Sequence, residues 1–299
     1  MKSIFEGVGV AIVTPVINDS IDFVSMGNLI DNCIENGASA IVALGTTGEG
    51  VSVSKKEREN IIKYCKDKIN GRAKLIVGTG NNNFKTCHEN TLMAKELGAD
   101  GALVVSPYYN KTTQKGLVEY YHQLSKIGIP LILYNVPSRT GLNIELETVN
   151  EIIKTNPEVY GIKESTADIG RIIKLCNICK DQISVYSGED ALNYIFYCLG
   201  ANGSISVTAN ALAKDVAYVF EMCKENNYHL ALQKQNELED LNGALFCETN
   251  PIPVKRLLYS MGLIASPEVR LPLVELSKKN QEKIDSLASE LNKKFHIKL

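Results

Sequence analysis

Short runs rich in Val, Ile and Leu recur at regular intervals along the first three quarters of the chain, and segments with helical spacing of apolar residues separate them. Eight runs can be counted: "GVGVAIVTP", "ASAIVALG", "AKLIVGTG", "GALVVSP", "IPLILYNVP", "VYGIKES", "QISVYSG" and "NGSISVT". Strands that alternate with helices pair in parallel, and continuously apolar strands are buried on both faces. The pattern therefore predicts an α/β fold, a closed (β/α)8 TIM barrel, rather than an open doubly wound sheet.

The strand pattern stops after residue 224, and three helix-like segments follow. The last of them, "LVELSKKNQEKIDSLASELNKKF", has apolar residues at helical spacing, namely Leu273, Leu276, Ile284, Leu287 and Leu291. We expect a barrel catalytic domain over residues 1–224 and a C-terminal helical domain over residues 225–299. The apolar face of this appendage is expected to pack on the barrel or in an interface rather than to hold a cofactor.

Composition and charge restrict the partners. The chain has 299 residues, 44% of them apolar and 22% charged, with a formal net charge of -2, as is typical of a soluble globular protein. No Lys/Arg-rich block is present, so neither nucleic acid nor a membrane surface is an expected partner, and a small-molecule substrate is favoured. No apolar stretch reaches the ~18 residues of a membrane span, and the N-terminus lacks the features of a signal peptide, which predicts a cytoplasmic protein.

The cysteines and histidines do not form a convincing metal motif. Eight cysteines without a secretory signal indicate reduced thiols. "CNIC", Cys176 to Cys179, has the CxxC spacing of zinc and redox sites, but no second pair follows, and the apolar spacing of the segment favours a buried helix face. The four histidines are scattered, and we infer no metal; they are His88, His122, His229 and His296.

Candidate chemistry falls at the C-terminal ends of the predicted strands, where the active sites of such barrels lie. Strand two ends in "GTTGEG", strand four in "SPYYNK", strand five in "YNVPSRTG" and strand seven in "SGED". Gly-rich turns allow backbone amides to bind an anion such as a carboxylate. "GTTGEG" lacks the lysine of a P-loop, so nucleotide binding is disfavoured.

Lys163 interrupts the sixth apolar run, "VYGIKES". Its aliphatic stem could lie along the strand while its ammonium reaches water. However, a strand in a parallel barrel has no solvated face, and confinement favours the neutral amine, which is the nucleophile that condenses with a carbonyl. Tyr134, near the end of the adjacent strand, could move the protons that this condensation requires, or it could be an aromatic core residue.

Five motifs occur in order along the chain: "GTTGEG" after its apolar strand, "YNVPSRTG", "GIKEST", "ISVTAN" and "NPIPVK". Together they resemble the pyruvate-dependent class I aldolase family, over essentially the whole chain. The resemblance is strongest to members that condense pyruvate with L-aspartate 4-semialdehyde to 4-hydroxy-tetrahydrodipicolinate, in lysine and diaminopimelate biosynthesis. It implies a lyase that needs no cofactor or metal, because the enzyme itself forms a covalent Schiff base with pyruvate.

The resemblance also implies the roles of individual residues. Lys163 would form the Schiff base, and Thr46, Tyr134 and Tyr109 would form a proton relay, with Tyr109 contributed by a neighbouring subunit of a homo-oligomer, a dimer of dimers. The remaining implied residues bind substrate: the amides of Thr46 and Thr47 hold the pyruvate carboxylate, Arg139 holds the carboxylate of the aldehyde, and Gly188 and Ile205 line the pocket. Gly188 and Ile205 are equally compatible with ordinary barrel packing.

Two other functions stay open. A sister aldolase, such as N-acetylneuraminate lyase or a 2-keto-3-deoxy sugar acid aldolase, would use the same chemistry on a polyhydroxylated substrate. The guanidinium of Arg139 instead suits a short aldehyde that bears a carboxylate. A non-catalytic ligand sensor is the second alternative, although binding alone does not need a nucleophilic lysine.

The resemblance finally bears on regulation. Feedback-inhibited members of the family bind free lysine at a dimer interface, near the positions that match Tyr108 and Asn82. Where those members have a histidine and a glutamate, this chain has Lys55 and Thr86. Arg58 lies one turn beyond Lys55. A lysine ligand carries two ammonium groups, so we expect the chain to be insensitive to lysine.

Two features qualify that expectation. Glu89, about a turn beyond Thr86, could offset the added positive charge if the segment is helical. Alternatively, Lys55 and Arg58 could simply point to solvent from the helix that follows "GTTGEG".

Overall fold

Eight parallel strands close into a barrel in the computed structural model, which describes residues 1–295. Each strand pairs with the next along the chain, and the last pairs with the first. The predicted TIM barrel is confirmed. The strands are β1 Gly7–Ala11, β2 Ala38–Ala43, β3 Lys74–Gly78, β4 Gly101–Val105, β5 Leu131–Asn135, β6 Val159–Glu164, β7 Ser184–Ser187 and β8 Gly203–Ser206.

Helices surround the barrel and continue beyond it. A small hairpin pairs residues 16–17 with 20–21, and a 3-10 turn follows β7 over Asp190–Leu192. The helices are α1 Phe23–Glu35, α2 Lys55–Ile69, α3 Phe84–Glu96, α4 Gln114–Ser125, α5 Pro137–Thr140, α6 Leu146–Thr155, α7 Ile169–Cys179, α8 Asn193–Cys198, α9 Ala209–Lys224, α10 Tyr228–Ala244, α11 Ile252–Ser260 and α12 Lys278–Phe295.

The strands bury both faces, as their apolar sequences predict. Outward-facing side chains pack against the helices in one large cluster. Inward-facing side chains fill the barrel in a second, smaller cluster that includes Ala40, Ile76, Ile132 and Tyr186. At the N-terminal end, Phe5 stacks on Tyr186 with ring centroids 4.4 Å apart and so closes the barrel floor.

Two buried polar contacts hold the loops at the C-terminal end of the barrel. The Asp190 carboxylate accepts hydrogen bonds from the backbone amides of Val207 (2.8 Å) and Thr208 (3.0 Å), which ties the turn after β7 to the end of β8. The amine of Lys255 on α11 is fully buried and lies 2.6 Å from a carboxylate oxygen of Glu49 in the "GTTGEG" turn. This ion pair joins the C-terminal helices to the mouth of the barrel.

The last helix begins later than the spacing of apolar residues suggested. Leu273 and Leu276 precede α12. Ser277 is the residue just before the first helical residue, and it donates both its backbone amide and its hydroxyl to Glu248. The division into domains at residue 224 stays a prediction. Residues 296–299 of the predicted C-terminal domain, including His296, lie outside the described residues.

Candidate active site

A cavity of about 340 Å³ opens at the C-terminal end of the barrel. Strand ends form its floor, and the segment between α10 and α11 covers one side. Seven of the eight residues that the sequence singled out line this cavity: Thr46, Thr47, Tyr134, Arg139, Lys163, Gly188 and Ile205. The structure therefore brings these seven side chains to one cavity, and the role of each stays a prediction.

Lys163 lies near the end of β6, and only 6% of its surface is exposed. Its neighbour across the sheet is Tyr134 of β5, and the amine stands 4.5 Å from the centroid of the Tyr134 ring. Gly188 provides the space, since a Cβ placed there would lie 2.7 Å from Cε of Lys163 and 1.9 Å from Oγ of Ser165. The amine thus sits in a confined space against an aromatic ring and close to a phenol.

The "GTTGEG" turn after β2 is folded tightly on itself. Leu44 adopts a φ of 60°, and a Cβ on Gly50 would lie 2.0 Å from the carbonyl oxygen of Leu44, so only glycine fits there. Within residues 1–295, the backbone amides of Thr46 and Thr47 donate no hydrogen bond to the chain. Two free amides at the edge of a cavity form a suitable cradle for a carboxylate.

Arg139 follows β5 on the short helix α5, with its side chain exposed at the cavity mouth. Its guanidinium donates to the carbonyl oxygen of Asn250 at 3.1 Å. The amide of Asn250 donates in turn to Oγ1 of Thr47 at 3.0 Å. Asn250 therefore connects the candidate aldehyde-binding residue with the candidate pyruvate-binding turn.

Asn250 and Glu189 were not predicted from the sequence, although both line the cavity. Each lies within a motif that had been noted, Asn250 in "NPIPVK" and Glu189 in "SGED". The side-chain oxygen of Asn250 is buried and has no hydrogen-bond partner in the described structure. Burial raises the pKa of Glu189, and the adjacent Asp190 carboxylate adds to the rise, so Glu189 holds a proton more readily than a solvated carboxyl group.

Tyr109 lies outside the cavity. Its side chain is 91% exposed, and its backbone has a φ of 68°, which is uncommon for a residue with a bulky side chain. A single chain therefore does not bring Tyr109 to Lys163 and Tyr134.

A second cavity of about 270 Å³ adjoins the first and shares Thr46, Tyr134 and Arg139 with it. Arg58 lines this second cavity and is buried, donating to the carbonyl oxygens of Gly50 (2.6 Å) and Gly78 (2.8 Å). Arg58 therefore does not point to solvent.

Lys55 differs from Arg58. Its side chain is 74% exposed, and its amine lies 3.7 Å from a carboxylate oxygen of Glu89. The charge of Lys55 is thus partly balanced by the acidic residue that the sequence had suggested as compensation.

The structure also describes other groups with possible chemistry. Cys176 and Cys179 lie on α7, and burial raises the pKa of the two thiols to about 11 and about 12. Among residues 1–295, no group of three or more His, Cys, Asp or Glu side chains is arranged to hold a metal ion. None of the helices in that range is both long and apolar enough to cross a membrane.

Comparisons with known proteins agree with this geometry. A sequence model of the dihydrodipicolinate synthetase family matches residues 4–291. The chain is 42% identical to the 4-hydroxy-tetrahydrodipicolinate synthase of Clostridium tetani, over 99% of this chain and all of that protein. Its fold matches the crystal structure of dihydrodipicolinate synthase from Aquifex aeolicus with a TM-score of 0.93, at 38% identity over 99% of both chains. A monomeric dihydrodipicolinate synthase variant has a TM-score of 0.94, at 37% identity over 99% of this chain and 98% of that one.

Proposed function

The chain belongs to the dihydrodipicolinate synthetase family, and on that premise we propose that it condenses pyruvate with L-aspartate 4-semialdehyde to 4-hydroxy-tetrahydrodipicolinate. This reaction belongs to lysine and diaminopimelate biosynthesis. The observation that carries the proposal is the position of Lys163, whose amine is confined in the barrel mouth, 4.5 Å from the centroid of the Tyr134 ring.

Lys163 is proposed as the nucleophile. Its neutral amine attacks the keto carbon of pyruvate, and loss of water gives an iminium ion. The iminium withdraws electrons from the pyruvate methyl group, so a proton leaves that carbon and an enamine forms. The enamine carbon then attacks the aldehyde. Because the iminium itself is the electron sink, this route requires neither a metal nor an added cofactor.

The residues around Lys163 fit the needs of these steps. The unpaired amides of Thr46 and Thr47 would hold the pyruvate carboxylate and so fix the keto carbon near the amine. The hydroxyl of Tyr134 would exchange the protons that formation and loss of the carbinolamine require. Thr46 lines the same cavity and would connect Tyr134 with Tyr109 of a neighbouring subunit.

Arg139 would select the second substrate. Its guanidinium is held at the cavity mouth by the carbonyl of Asn250, where it can form a charge-assisted contact with the carboxylate of a short aldehyde. A sugar-acid aldolase would instead need neutral groups for a row of hydroxyls. The unpartnered oxygen of Asn250 could accept from the ammonium group that L-aspartate 4-semialdehyde carries.

Trapping the covalent intermediate tests the proposal directly. Borohydride reduction in the presence of pyruvate should fix a pyruvyl group on Lys163. In a separate assay with pyruvate, product should form with L-aspartate 4-semialdehyde but not with N-acetylmannosamine. Lys163→Ala should lose the adduct while staying folded. Arg139→Ala should keep the adduct but lose condensation by about tenfold or more, since a charge-assisted hydrogen bond contributes roughly 1.5–3 kcal/mol.

Other results would contradict the proposal. An adduct on Lys111 or on the buried Lys255 would remove Lys163 from the mechanism. Turnover of N-acetylmannosamine in place of L-aspartate 4-semialdehyde would favour the sister aldolase. Loss of both adduct and condensation in Arg139→Ala would make that residue structural.

We further propose that the enzyme is insensitive to L-lysine. The ammonium of Lys55 is exposed and lies 3.7 Å from Glu89, Tyr108 lines the second cavity, and Thr86 offers no charge to a cationic ligand. Two like charges about 4 Å apart repel by roughly 4 kcal/mol at an effective dielectric constant of ~20, before the partial compensation by Glu89.

Calorimetry on the pyruvate-loaded enzyme should detect no L-lysine binding. Saturable inhibition by L-lysine but not by D-lysine would contradict the proposal, and Lys55→His is the variant expected to move the enzyme towards sensitivity.

A further inference from the structure

A fully buried lysine on α11 is directed at the turn that faces the candidate pyruvate site. The side chain of Lys255 has no exposed surface and lines neither of the two cavities at the barrel mouth. Its amine lies 2.6 Å from a carboxylate oxygen of Glu49, which is also buried and belongs to the "GTTGEG" turn. Burial lowers the pKa of Lys255, and the Glu49 carboxylate opposes that change. Lys255 can therefore influence a ligand in these cavities only through Glu49 and the turn.

Glu49 is joined directly to the part of the turn that carries the two free amides, those of Thr46 and Thr47. The backbone amide of Glu49 donates to the carbonyl oxygen of Thr46 at 3.1 Å. Its second carboxylate oxygen accepts from the backbone amide of Arg270 at 3.0 Å. Both carboxylate oxygens of Glu49 are thus held, and a shift of Glu49 would be transmitted to Thr46.

The turn depends on contacts of this kind because its backbone is strained. Glu49 has a φ of 50° and Leu44 a φ of 60°, in the left-handed region that few residues with side chains adopt. Such conformations persist only where the surrounding structure fixes them. The hydroxyl of Thr14 fixes the neighbouring residue, since it donates to the carbonyl oxygen of Gly48 at 2.7 Å. For Glu49 itself, the charged contact is the one with Lys255.

We propose that Lys255 is a positioning residue for pyruvate binding: through Glu49 it holds the amides of Thr46 and Thr47 in the arrangement that receives the pyruvate carboxylate. This inference rests on the proposed function. The amides would hold the carboxylate equally before and during the covalent step, so a displaced turn weakens binding without slowing the step that follows. The KM for pyruvate should therefore depend on Lys255, and kcat should not.

Lys255→Met tests the inference, because it keeps the length of the side chain and removes its charge. The KM for pyruvate should rise by about tenfold or more, since a misplacement of about 1 Å can have a larger effect than that. The kcat and the KM for L-aspartate 4-semialdehyde should stay within about threefold of the wild type. Hydrogen–deuterium exchange gives a second readout: the amides of Glu49 and Gly50, which donate within the turn, should exchange faster.

Two further variants separate positioning from a general loss of stability. Lys255→Met leaves a buried carboxylate unpaired, so Glu49→Gln/Lys255→Met removes both charges together. The double variant should regain the Tm that the single variant loses but keep the high KM for pyruvate, because the link between α11 and the turn is still missing. Arg256→Met is the matched control. Arg256 is next to Lys255 on α11 but lies 2.8 Å from Asp285 of α12, so its loss should lower the Tm without changing the KM for pyruvate or the exchange of the turn.

A KM for pyruvate within about twofold of the wild type in the double variant would overturn the inference and leave the ion pair a structural contact. Equal increases of this KM in Lys255→Met and Arg256→Met would do the same, as would a lower kcat at an unchanged KM. Failure of the proposed function looks different, because the wild type would then trap no pyruvate on Lys163. In that case the exchange measurement still decides whether Lys255 holds the turn.

Discussion

At the scale of single residues, the space around the reactive amine depends on a residue without a side chain. A Cβ on Gly188 would lie 2.7 Å from Cε of Lys163, and neither atom can move far within the closed barrel. We predict that Gly188→Ala lowers the rate of borohydride-trapped adduct formation by at least about tenfold, since a misplacement of about 1 Å can cost far more than that. The protein should still fold.

Gly243→Ala is the matched control, because nothing lies within 4 Å of the Cβ that it would add, and alanine is a better helix former than glycine. That variant should trap pyruvate like the wild type. An equal loss in both variants would indicate a general effect on folding, and an unchanged rate in Gly188→Ala would show that the amine tolerates the added methyl group.

The candidate site was predictable at this scale where the barrel geometry alone brings residues together. Thr46, Tyr134, Lys163 and Gly188 all follow or end barrel strands, so their convergence follows from the fold. Asn250 comes from beyond the barrel and reaches the site only because the segment between α10 and α11 folds back over the mouth. No local pattern in the sequence contains that long-range contact.

At the scale of elements, a buried ion pair connects β6 with α7. The Arg171 guanidinium lies 3.0 Å from a carboxylate oxygen of Glu164, whose side chain is fully buried, and Asn135 of β5 donates to the same carboxylate. Arg171→Met would leave a buried carboxylate without its cation. We predict a loss of about 3–5 kcal/mol in the free energy of unfolding, measured by urea denaturation at neutral pH.

The control for this prediction is an ion pair of the same type on the surface. Lys63 pairs with Glu59 along α2, with 52% and 31% of their side chains exposed, and Lys63→Met should change the free energy of unfolding by less than about 1 kcal/mol. Similar losses in the two variants would mean that the buried pair contributes no more than an exposed one.

Glu57 connects the start of α2 with the C-terminal segment, and this link should depend on pH. Its carboxylate completes a capping box with Ser54 and lies 2.6 Å from the guanidinium of Arg270. The Arg270 hydrogen bond lowers the pKa of Glu57 from 4.5 to about 2. Because the pKa is lower in the folded state, the ion pair stabilises the fold above about pH 4.5, and this contribution is lost as the pH falls through 2.

Glu57→Gln keeps an oxygen for the cap but removes the charge. Its deficit in unfolding free energy should be about 1–2 kcal/mol at pH 7, which allows for partial exposure, and should shrink steadily below pH 4.5. Urea titrations at several pH values measure this difference. A deficit that does not change with pH would show that the hydrogen-bonded cap, and not the charge, provides the stability.

Elements were predictable from the sequence where burial determines the local pattern. Each barrel strand is buried on both faces and therefore reads as a continuous apolar run. The start of α12 was not predictable in this way, because Leu273 and Leu276 have helical spacing but are followed by the contact between Ser277 and Glu248. Those two residues are distant in the sequence, and periodicity cannot detect their contact.

At the scale of the whole molecule, exposed apolar residues surround the second cavity. Val51 lines that cavity and is 73% exposed. Leu271, which is 81% exposed, and Tyr109 are next in sequence to Pro272 and Tyr108, two other residues that line the cavity. A concentration of large exposed apolar side chains typically marks an interaction surface. The left-handed backbone of Tyr109 also carries a conformational cost, which contacts with another subunit would offset.

Subunit mixing tests whether the active site is completed by a second copy of the chain. Tyr109→Phe and Lys163→Ala should each be inactive alone, but a hybrid dimer contains one site with an intact lysine and an intact tyrosine from the partner. Random exchange of equal amounts should then restore about a quarter of the wild-type sites. A mixture of Tyr134→Phe with Lys163→Ala is the matched control and should recover nothing, because both residues belong to the same chain's cavity. If native mass spectrometry confirms exchange and the first mixture stays inactive, Tyr109 does not act across the interface, and its exposure and backbone conformation must have another cause.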